Sequence, residues 1–157
     1  MSEDFLPLSG TDHIEFWVGN AKQASYYYQH AFGFELIAYS GPETGVRDRA
    51  SYVLQQGKIR FVFTTPMGPN NEIADHIYKH SDGVKVLALT VDDAEKSFYE
   101  TMSRGAKAHT QPQTLTDDSG EVKISAIHTY GDTIHKFVER KNYKGPFMPD
   151  RKSTRLN

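Results

Sequence analysis

Cysteine is absent from this chain of 157 residues, which excludes disulfide bonds, thiol catalysis and thiolate metal sites. No apolar run approaches the roughly 20 residues that a membrane-spanning helix needs. Basic residues are not in excess, since the formal net charge is −2, and a dedicated nucleic-acid surface is not expected. The acidic, polar start has the wrong chemistry for a secretory signal. These absences predict a cytoplasmic protein with neither nucleic-acid nor membrane partners.

The chain does contain enough apolar material for one well-filled domain, at 38% hydrophobic and 12% aromatic residues. Its most informative stretch is residues 13–24, HIEFWVGNAKQA, which predicts a buried strand followed by a helix. Residues 86–97, VLALTVDDAEKS, form a weaker copy. A repeat of this length indicates two copies of one supersecondary unit, each covering the apolar face of the other.

Local patterns predict the order βαβββ for the first unit. Residues 14–18 alternate as a strand, and Asn20 and Gly33 bound a helix over residues 21–32. The apolar face of this helix is predicted from i, i+3, i+4, i+7 spacing to contain Ala24, Tyr27, Tyr28 and Ala31. Three more strands are predicted over residues 34–39, 51–55 and 59–64.

The second unit repeats this order after a short helix over residues 72–79. It is predicted to contain a strand at 86–91, a helix at 94–104, a short strand at 108–110, and a hairpin of residues 122–128 and 134–140. Residues 112–120 are expected to be an irregular connection. The prediction is therefore an α+β protein of two tandem βαβββ modules, at residues 10–80 with the trailing helix and 83–142. Residues 143–157 would be a linker or foreign tail.

His13 is the first candidate metal ligand, because it opens a strand from which an imidazole could reach a cavity. The repeat tests this idea, since a site shared by two modules needs ligands at equivalent positions. Val86 is the counterpart of His13, and aligning residues 61–62 with 137–138 places Arg60 and Lys136 at the remaining positions. A valine and two cations do not complete a divalent-metal site with His13.

Four other groups could be functional, and none of them is predicted to be a catalytic or metal site. His76 and His80 share a helix face, but lack the intervening glutamate of hydrolytic zinc motifs and a third ligand nearby in sequence. Residues 117–121 lack calcium-loop spacing, and residues 41–45 lack the lysine of a phosphate cradle, so both are predicted turns. Residues 26–28 are three tyrosines, expected to be partly core and partly available for a subunit contact. No catalytic, cofactor-binding or metal residue is predicted in this chain.

The same residues resemble a known family. Residues 13–24, together with AYSGPETG at 38–45, QGKIRFV at 56–62 and ADHIYKHSDGVK at 74–85, are similar to the amino-terminal half of 4-hydroxyphenylpyruvate dioxygenases. TYGDT at 129–133, FVER at 137–140 and YKGPFMP at 143–149 complete the resemblance. It covers nearly all of residues 6–149 in the same order, with small departures such as Ser81 in place of a usual glycine.

This resemblance implies membership of the vicinal-oxygen-chelate (glyoxalase, bleomycin-resistance, dioxygenase) superfamily, in which βαβββ modules pair into curved mixed sheets with helices outside. It implies a non-haem Fe(II) enzyme that converts 4-hydroxyphenylpyruvate and dioxygen to homogentisate and carbon dioxide in tyrosine catabolism. In the family, two histidines and a glutamate of the carboxyl-terminal module pair hold the iron. None of these ligands maps onto this chain, and His13 stands at a superfamily ligand position without partners.

The expectation is therefore a fragment: the non-metal-binding half of the dioxygenase, a scaffold that is inactive alone and binds no iron. Its partners would be the missing carboxyl-terminal module pair and further copies in a homo-oligomer, and residues 152–157 would be a foreign end. One alternative is a freestanding, metal-free two-module protein that binds a small molecule. A metal isomerase of the glyoxalase kind is a third, which would need four ligands where only His13 is found.

Overall fold

A computed structural model describes residues 4–149 and the backbone of residues 152–153. Three helices lie among the described residues: α1 (Ala21–Phe32), α2 (Glu72–His80) and α3 (Ala94–Ser103). The described strands are β1 (Leu8–Trp17), β2 (Glu35–Ser40), β3 (Arg49–Gln56), β4 (Ile59–Pro66), β5 (Gly83–Val91), β6 (Lys107–Asp117), β7 (Gly120–His128), β8 (Ile134–Glu139) and β9 (Lys152–Ser153).

All nine strands belong to one mixed sheet, in the order β6-β7-β8-β5-β1-β4-β3-β2-β9. In each module the first strand runs parallel to the last: β1 pairs with β4, and β5 pairs with β8. The modules meet where β1 and β5 pair antiparallel at the centre. This arrangement confirms the α+β prediction of two βαβββ modules in a curved mixed sheet with helices outside.

The two faces of the sheet bury different sets of side chains. One face, called here the inner face, carries a cluster drawn from both modules, including Val62, Val86 and Val138. The opposite face is covered by helices, with Phe34 and Phe63 in a cluster that includes Ala21 of α1, and Phe137 in one that includes Ala94 of α3. The inner face is therefore the shared interior of the two modules.

The capping residues of α1 lie where the sequence predicts them. The Asn20 side chain accepts a hydrogen bond from the backbone N–H of Gln23, and Gly33 ends the helix at φ 75°. The buried face differs slightly from the prediction, because Ala21 and Ser25 are buried whereas Tyr27 is 56% exposed. Ala24 and Tyr28 pack against the core as predicted, whereas Ala31 is exposed, so the packed residues lie nearer the start of the helix than predicted.

The short strand predicted at residues 108–110 is confirmed as part of β6, but the irregular connection predicted for residues 112–120 is wrong. Strand β6 continues to Asp117 and pairs with β7 along its length, so no irregular connection exists there. Pro112 had indicated a break, but β6 is an edge strand and its register shifts between Thr110 and Gln113. Edge strands and register shifts tolerate a residue that lacks a backbone N–H.

Residues 143–149 pack against the inner face. Tyr143 forms an isolated bridge with Gly120, and the side chains of Phe147 and Met148 are buried in the inner-face cluster. The segment is thus joined to the core of the two modules, although the domain boundaries at 10–80, 83–142 and 143–157 stay predictions. Of the predicted foreign end, only the backbone of residues 152–153 is described, where it pairs with β2; residues 150, 151 and 154–157 lie outside the described part.

No helix among the described residues is long and apolar enough to cross a membrane.

Candidate functional site

His13 lies on the inner face, 2% exposed, at the centre of the sheet. Its Nδ1 is 2.7 Å from Oδ1 of Asp12, and its ring meets the Phe147 ring edge-on at 4.9 Å between centroids. Asp12 and His13 are adjacent yet both buried, because the register of β1 against β5 shifts between Thr11 and His13. A bulge therefore brings a carboxylate beside the imidazole.

Arg140 closes this group from the second module. Its Nε and Nη2 donate to the two Asp12 carboxylate oxygens at 2.6 and 2.7 Å, and Nη1 donates to the Phe147 carbonyl oxygen. Arg60 adds a longer contact, 3.8 Å from Nη1 to Asp12 Oδ2. A bidentate arginine satisfies both carboxylate oxygens in a fixed geometry. The Asp12 carboxylate thus contacts two guanidinium groups and the His13 imidazole.

Burial acts on the titration of both acidic and basic members of this group. It favours the neutral Asp12 carboxyl, but hydrogen bonds from His13 and Arg140 outweigh it and hold the Asp12 pKa well below its ordinary value. Burial also lowers the pKa of His13, and nearby Lys136 lowers it further against the opposing effect of Asp12. The lowered pKa keeps the His13 imidazole neutral at neutral pH.

The inner face does not fit the ferrous ion that the sequence resemblance implies. Val86 is buried there as a plain apolar residue, while Arg60 and Lys136 bring positive charge near His13. The strand register revises the predicted equivalence of Arg60 and Lys136. Ile14 pairs with Phe61, so Arg60 lies beside His13, and the residue that lies beside Val86 in the second module is Ile134 rather than Lys136. Either residue leaves His13 without a second donor at the equivalent positions, since iron of this class needs histidine and carboxylate ligands.

Sequence reasoning missed the buried carboxylate of Glu15, which is on the same face of β1 as His13. Glu15 Oε1 accepts hydrogen bonds from Thr64 Oγ1 at 2.8 Å and Trp17 Nε1 at 3.3 Å, and Ser51 Oγ lies 2.8 Å from Thr64 Oγ1. The available signal was the period-two set His13, Glu15 and Trp17, which shares one strand face. These contacts link β1, β3 and β4 below His13.

His76 and His80 form the second candidate group, and here the expectation of no nearby third ligand is wrong. Asp132, from the turn between β7 and β8, lies against both, and the ligand atoms of the three side chains are all within 4.8 Å of one another. His80 Nε2 is 2.7 Å from Asp132 Oδ2. Asp132 comes from the other module, so only the folded chain brings it near.

The two predicted turns are confirmed. Asp117 begins the β6–β7 turn, where its Oδ1 accepts from the Ser119 N–H at 2.7 Å and its Oδ2 from Tyr143 Oη at 3.0 Å. Pro42–Thr44 is a single 3-10 turn closed by hydrogen bonds between Gly41 and Thr44. Asp117, Gly41 and Thr44 thus have partners within the fold, which agrees with a structural role for both turns.

The three tyrosines of α1 divide as expected. Tyr28 packs against the helix-side cluster of the first module, whereas Tyr26 and Tyr27 are 62% and 56% exposed. Phe32, 53% exposed, continues the exposed aromatic surface toward the end of the helix.

The matching family model and two similar curated proteins give the same family. Residues 3–148 match the family described as hydroxyphenylpyruvate dioxygenase, amino-terminal. The 4-hydroxyphenylpyruvate dioxygenase of Aspergillus fumigatus is 42% identical over 95% of this chain and 40% of its own length. That of Danio rerio is 47% identical over 87% of this chain and 35% of its own length. The chain thus spans about two fifths of these relatives.

Solved structures share the fold. A mutant of 4-hydroxymandelate synthase from Streptomyces coelicolor superposes with a TM-score of 0.83 at 28% identity, over 94% of this chain and 42% of that one. Methylmalonyl-CoA epimerase from Mycobacterium tuberculosis superposes with a TM-score of 0.69 at 18% identity, over 88% and 91% of the two chains. The second likeness bears on the fold alone.

Proposed function

Because this chain belongs to the hydroxyphenylpyruvate dioxygenase family through the family's amino-terminal domain, we propose that it is the non-catalytic half of a 4-hydroxyphenylpyruvate dioxygenase. The complete enzyme would convert 4-hydroxyphenylpyruvate and dioxygen to homogentisate and carbon dioxide, in tyrosine catabolism and in the cytoplasm. The iron and its ligands would belong to a further module pair that completes the length of the relatives. This chain would supply a scaffold and contacts between subunits, and would be inactive alone.

The observation that carries this proposal is that side chains of the protein itself fill the space around His13 on the inner face. Asp12, Arg140 and Phe147 take up the space and the polar atoms around the imidazole, and Val86 offers no donor. A catalytic iron needs open coordination positions for substrate and oxygen. The chemistry of these residues serves to fix the fold, so they would hold neither the metal nor the substrate.

The rival proposal, a freestanding protein that binds a small molecule within the sheet, is less well supported. Phe147 and Met148 are buried among the inner-face side chains, which is where such a ligand would have to lie. A binding protein of this kind needs a preformed concave site lined mostly by apolar groups. Here the chain itself occupies that place.

The test uses a chimaera with the dioxygenase of Dictyostelium discoideum, which is 44% identical over 144 residues and 39% of its own length. This chain would replace the matching amino-terminal part. With Fe(II) and 4-hydroxyphenylpyruvate, we expect homogentisate and oxygen uptake from the chimaera and neither from this chain alone. Turnover by the chain alone would overturn the proposal, as would a folded, iron-loaded chimaera that forms no product.

A matched variant separates a scaffold from a catalytic role. In the chimaera, His13→Gln is expected to leave the iron content at one per chain and kcat within about twofold, because the proposal places the iron and the substrate in the further module pair. A loss of bound iron in this variant would place His13 among the ligands and contradict the proposal. Thermal unfolding of the same variant reports any loss of stability separately from activity.

A further inference from the structure

The group of His76, His80 and Asp132, named here the α2 site, lies apart from the inner-face residues around His13. The two histidines are one helical turn apart in α2, so their rings lie on one side of the helix. Asn71 caps this helix, accepting hydrogen bonds from the backbone N–H groups of Ile73 and Ala74. Both imidazoles are therefore carried by a well-defined helix.

Asp132 is also held in place. Lys85 Nζ donates a hydrogen bond to its backbone carbonyl oxygen, and the turn is closed by Thr129 and Thr133, whose hydroxyl oxygens are 2.9 Å apart. The carboxylate thus projects from a braced turn toward the end of α2. A side chain carried on a rigid element loses less conformational entropy when it binds a metal.

His76 shows a feature that its structural role does not explain. It is 8% exposed and lines a small cavity with Trp17, Lys85 and Asp132, and its ring lies edge-on to Trp17 at 5.1 Å. Among the hydrogen bonds of the described residues, none involves a ring nitrogen of His76. Buried polar groups nearly always have partners, and an exception needs an explanation such as an ion or an ordered water.

The geometry supplies that explanation. We propose that His76, His80 and Asp132 are three ligands of a divalent transition metal of the zinc class, with the fourth position left to water. Two imidazole nitrogens and one carboxylate oxygen are donors that zinc prefers, at about 2.0–2.2 Å each. The donor atoms already lie within 4.8 Å of one another, so we expect side-chain rotation to bring them into that arrangement when a metal binds.

The cavity walls carry charges of both signs. Glu72 and Asp75 line the cavity together with Lys79 and Lys85. The Lys85 ammonium is 4.8 Å from the centre of the Trp17 ring and donates to the Asp132 carbonyl, so its charge is partly compensated. Burial, followed by Lys85 and His80, lowers the pKa of His76, which favours the neutral imidazole that binds metals.

A bound metal would link two parts of the fold and so raise its stability. Helix α2 connects the last strand of the first module to β5 of the second, and Asp132 belongs to the β7–β8 turn. A metal would therefore fasten the connection between modules to the second module. Binding to the folded state alone raises apparent stability by mass action.

The experiment titrates ZnCl2 into the 157-residue chain after removal of metals with a chelator. We expect one Zn2+ per chain by calorimetry and a rise in Tm that EDTA reverses. Both His80 and Asp132 are exposed, so His80→Ala and Asp132→Asn should fold with unchanged metal-free Tm and bind Zn2+ at least about tenfold more weakly. His30→Ala removes an exposed histidine from α1 and is the matched control, with unchanged affinity.

Spectroscopy identifies the ligands directly. Upon addition of Zn2+, the imidazole nitrogen resonances of His76 and His80 should shift while those of His30 stay in place. The proposal is overturned if the chain binds no stoichiometric Zn2+, if His80→Ala and Asp132→Asn bind as tightly as the parent, or if His30→Ala weakens binding as much as they do.

Discussion

Arg140 donates two hydrogen bonds, of 2.6 and 2.7 Å, to the carboxylate of Asp12, which lies 128 positions earlier in the sequence. Asp12 is in the first strand of the first module, and Arg140 follows directly after the last strand of the second. The pair therefore joins the two ends of the repeat over the inner face. Both side chains are largely shielded from water, at 2% and 18% exposure.

Replacing Arg140 with methionine should destabilise the chain strongly. The substitution leaves the Asp12 carboxylate buried without its main partner, for which a loss of about 3–5 kcal/mol is expected. Urea unfolding followed by circular dichroism measures it. Arg47→Met is the control, since Arg47 is exposed, and should change the free energy of unfolding by less than about 0.5 kcal/mol. A loss below about 1 kcal/mol for Arg140→Met would show that the pair adds little.

The stability of the chain should fall as the pH decreases below about 6.5, the ordinary pKa of histidine. Burial lowers the pKa of His13 in the folded state, so the unfolded state binds protons first. The contribution of His13 is thus complete above the unfolded pKa and is lost as the pH falls toward the folded one. Urea unfolding between pH 7.5 and pH 5 measures this slope.

His13→Gln is the comparison for this pH dependence, because glutamine cannot titrate. Buried His76 also has a lowered pKa and contributes in the same pH range, so the variant should flatten the slope rather than abolish it. Equal slopes for the parent and His13→Gln would contradict the assignment of the effect to His13.

Phe147→Ala tests whether residues 143–149 belong to the folded unit. The Phe147 side chain is 2% exposed and packs against His13, so removing it should cost about 3–5 kcal/mol. Tyr130, 81% exposed, provides the control, and Tyr130→Ala should be nearly neutral. A neutral Phe147→Ala variant would indicate a segment that rests on the core without stabilising it. Thermal and urea unfolding both report the difference.

Asn20→Ala and Asp93→Ala should have similar effects, because the two residues cap equivalent helices in the two modules. Each side chain accepts one backbone N–H, from Gln23 and Lys96 respectively. Loss of such a cap costs about 1 kcal/mol. Lys22→Ala, an exposed change in the first turn of α1, controls for local effects. Free energies of unfolding that differ by more than about 1.5 kcal/mol between the two cap variants would argue against equivalent roles.

Self-association through α1 is expected if the chain forms homo-oligomers. Tyr26 and Tyr27 are more than half exposed, and tyrosines of this kind commonly contribute to interfaces. The double variant Tyr26→Ser/Tyr27→Ser should shift the chain toward monomer in sedimentation velocity. Tyr78→Ser is the control, because Tyr78 is 93% exposed on a different helix and should leave the distribution unchanged. A monomeric parent chain would remove the basis of this prediction.

Features encoded by neighbouring residues were predictable from the sequence. The bounds of α1 follow from Asn20 and Gly33, whose side-chain cap and left-handed backbone act within a few residues. The pairing of two βαβββ modules was predictable from the sequence repeat, because each copy has an apolar face that the other copy must cover. The continuation of edge strand β6 beyond the predicted residues 108–110 was missed, because Pro112 is a local signal for a break and the edge position of the strand overrides it.

Features that depend on distant residues were not predictable. Asp132 joins His76 and His80 only because the β7–β8 turn folds back to α2, and no spacing in the sequence encodes that approach. The Asp12–Arg140 pair is equally remote in sequence. Burial of Asp12 next to His13 also depends on a bulge in β1, and the alternation of apolar and polar residues along the strand does not predict that bulge.

The central position of β1 affects how the chain can fold during synthesis. Its two neighbours are β4 and β5, so the first strand to leave the ribosome has no partner until residues 59–66 and then 83–91 follow. Strands that wait for distant partners fold slowly and expose apolar surface in the meantime. Nascent chains that stop before Gly83 should therefore recruit chaperones through β1, and release them once β5 has emerged.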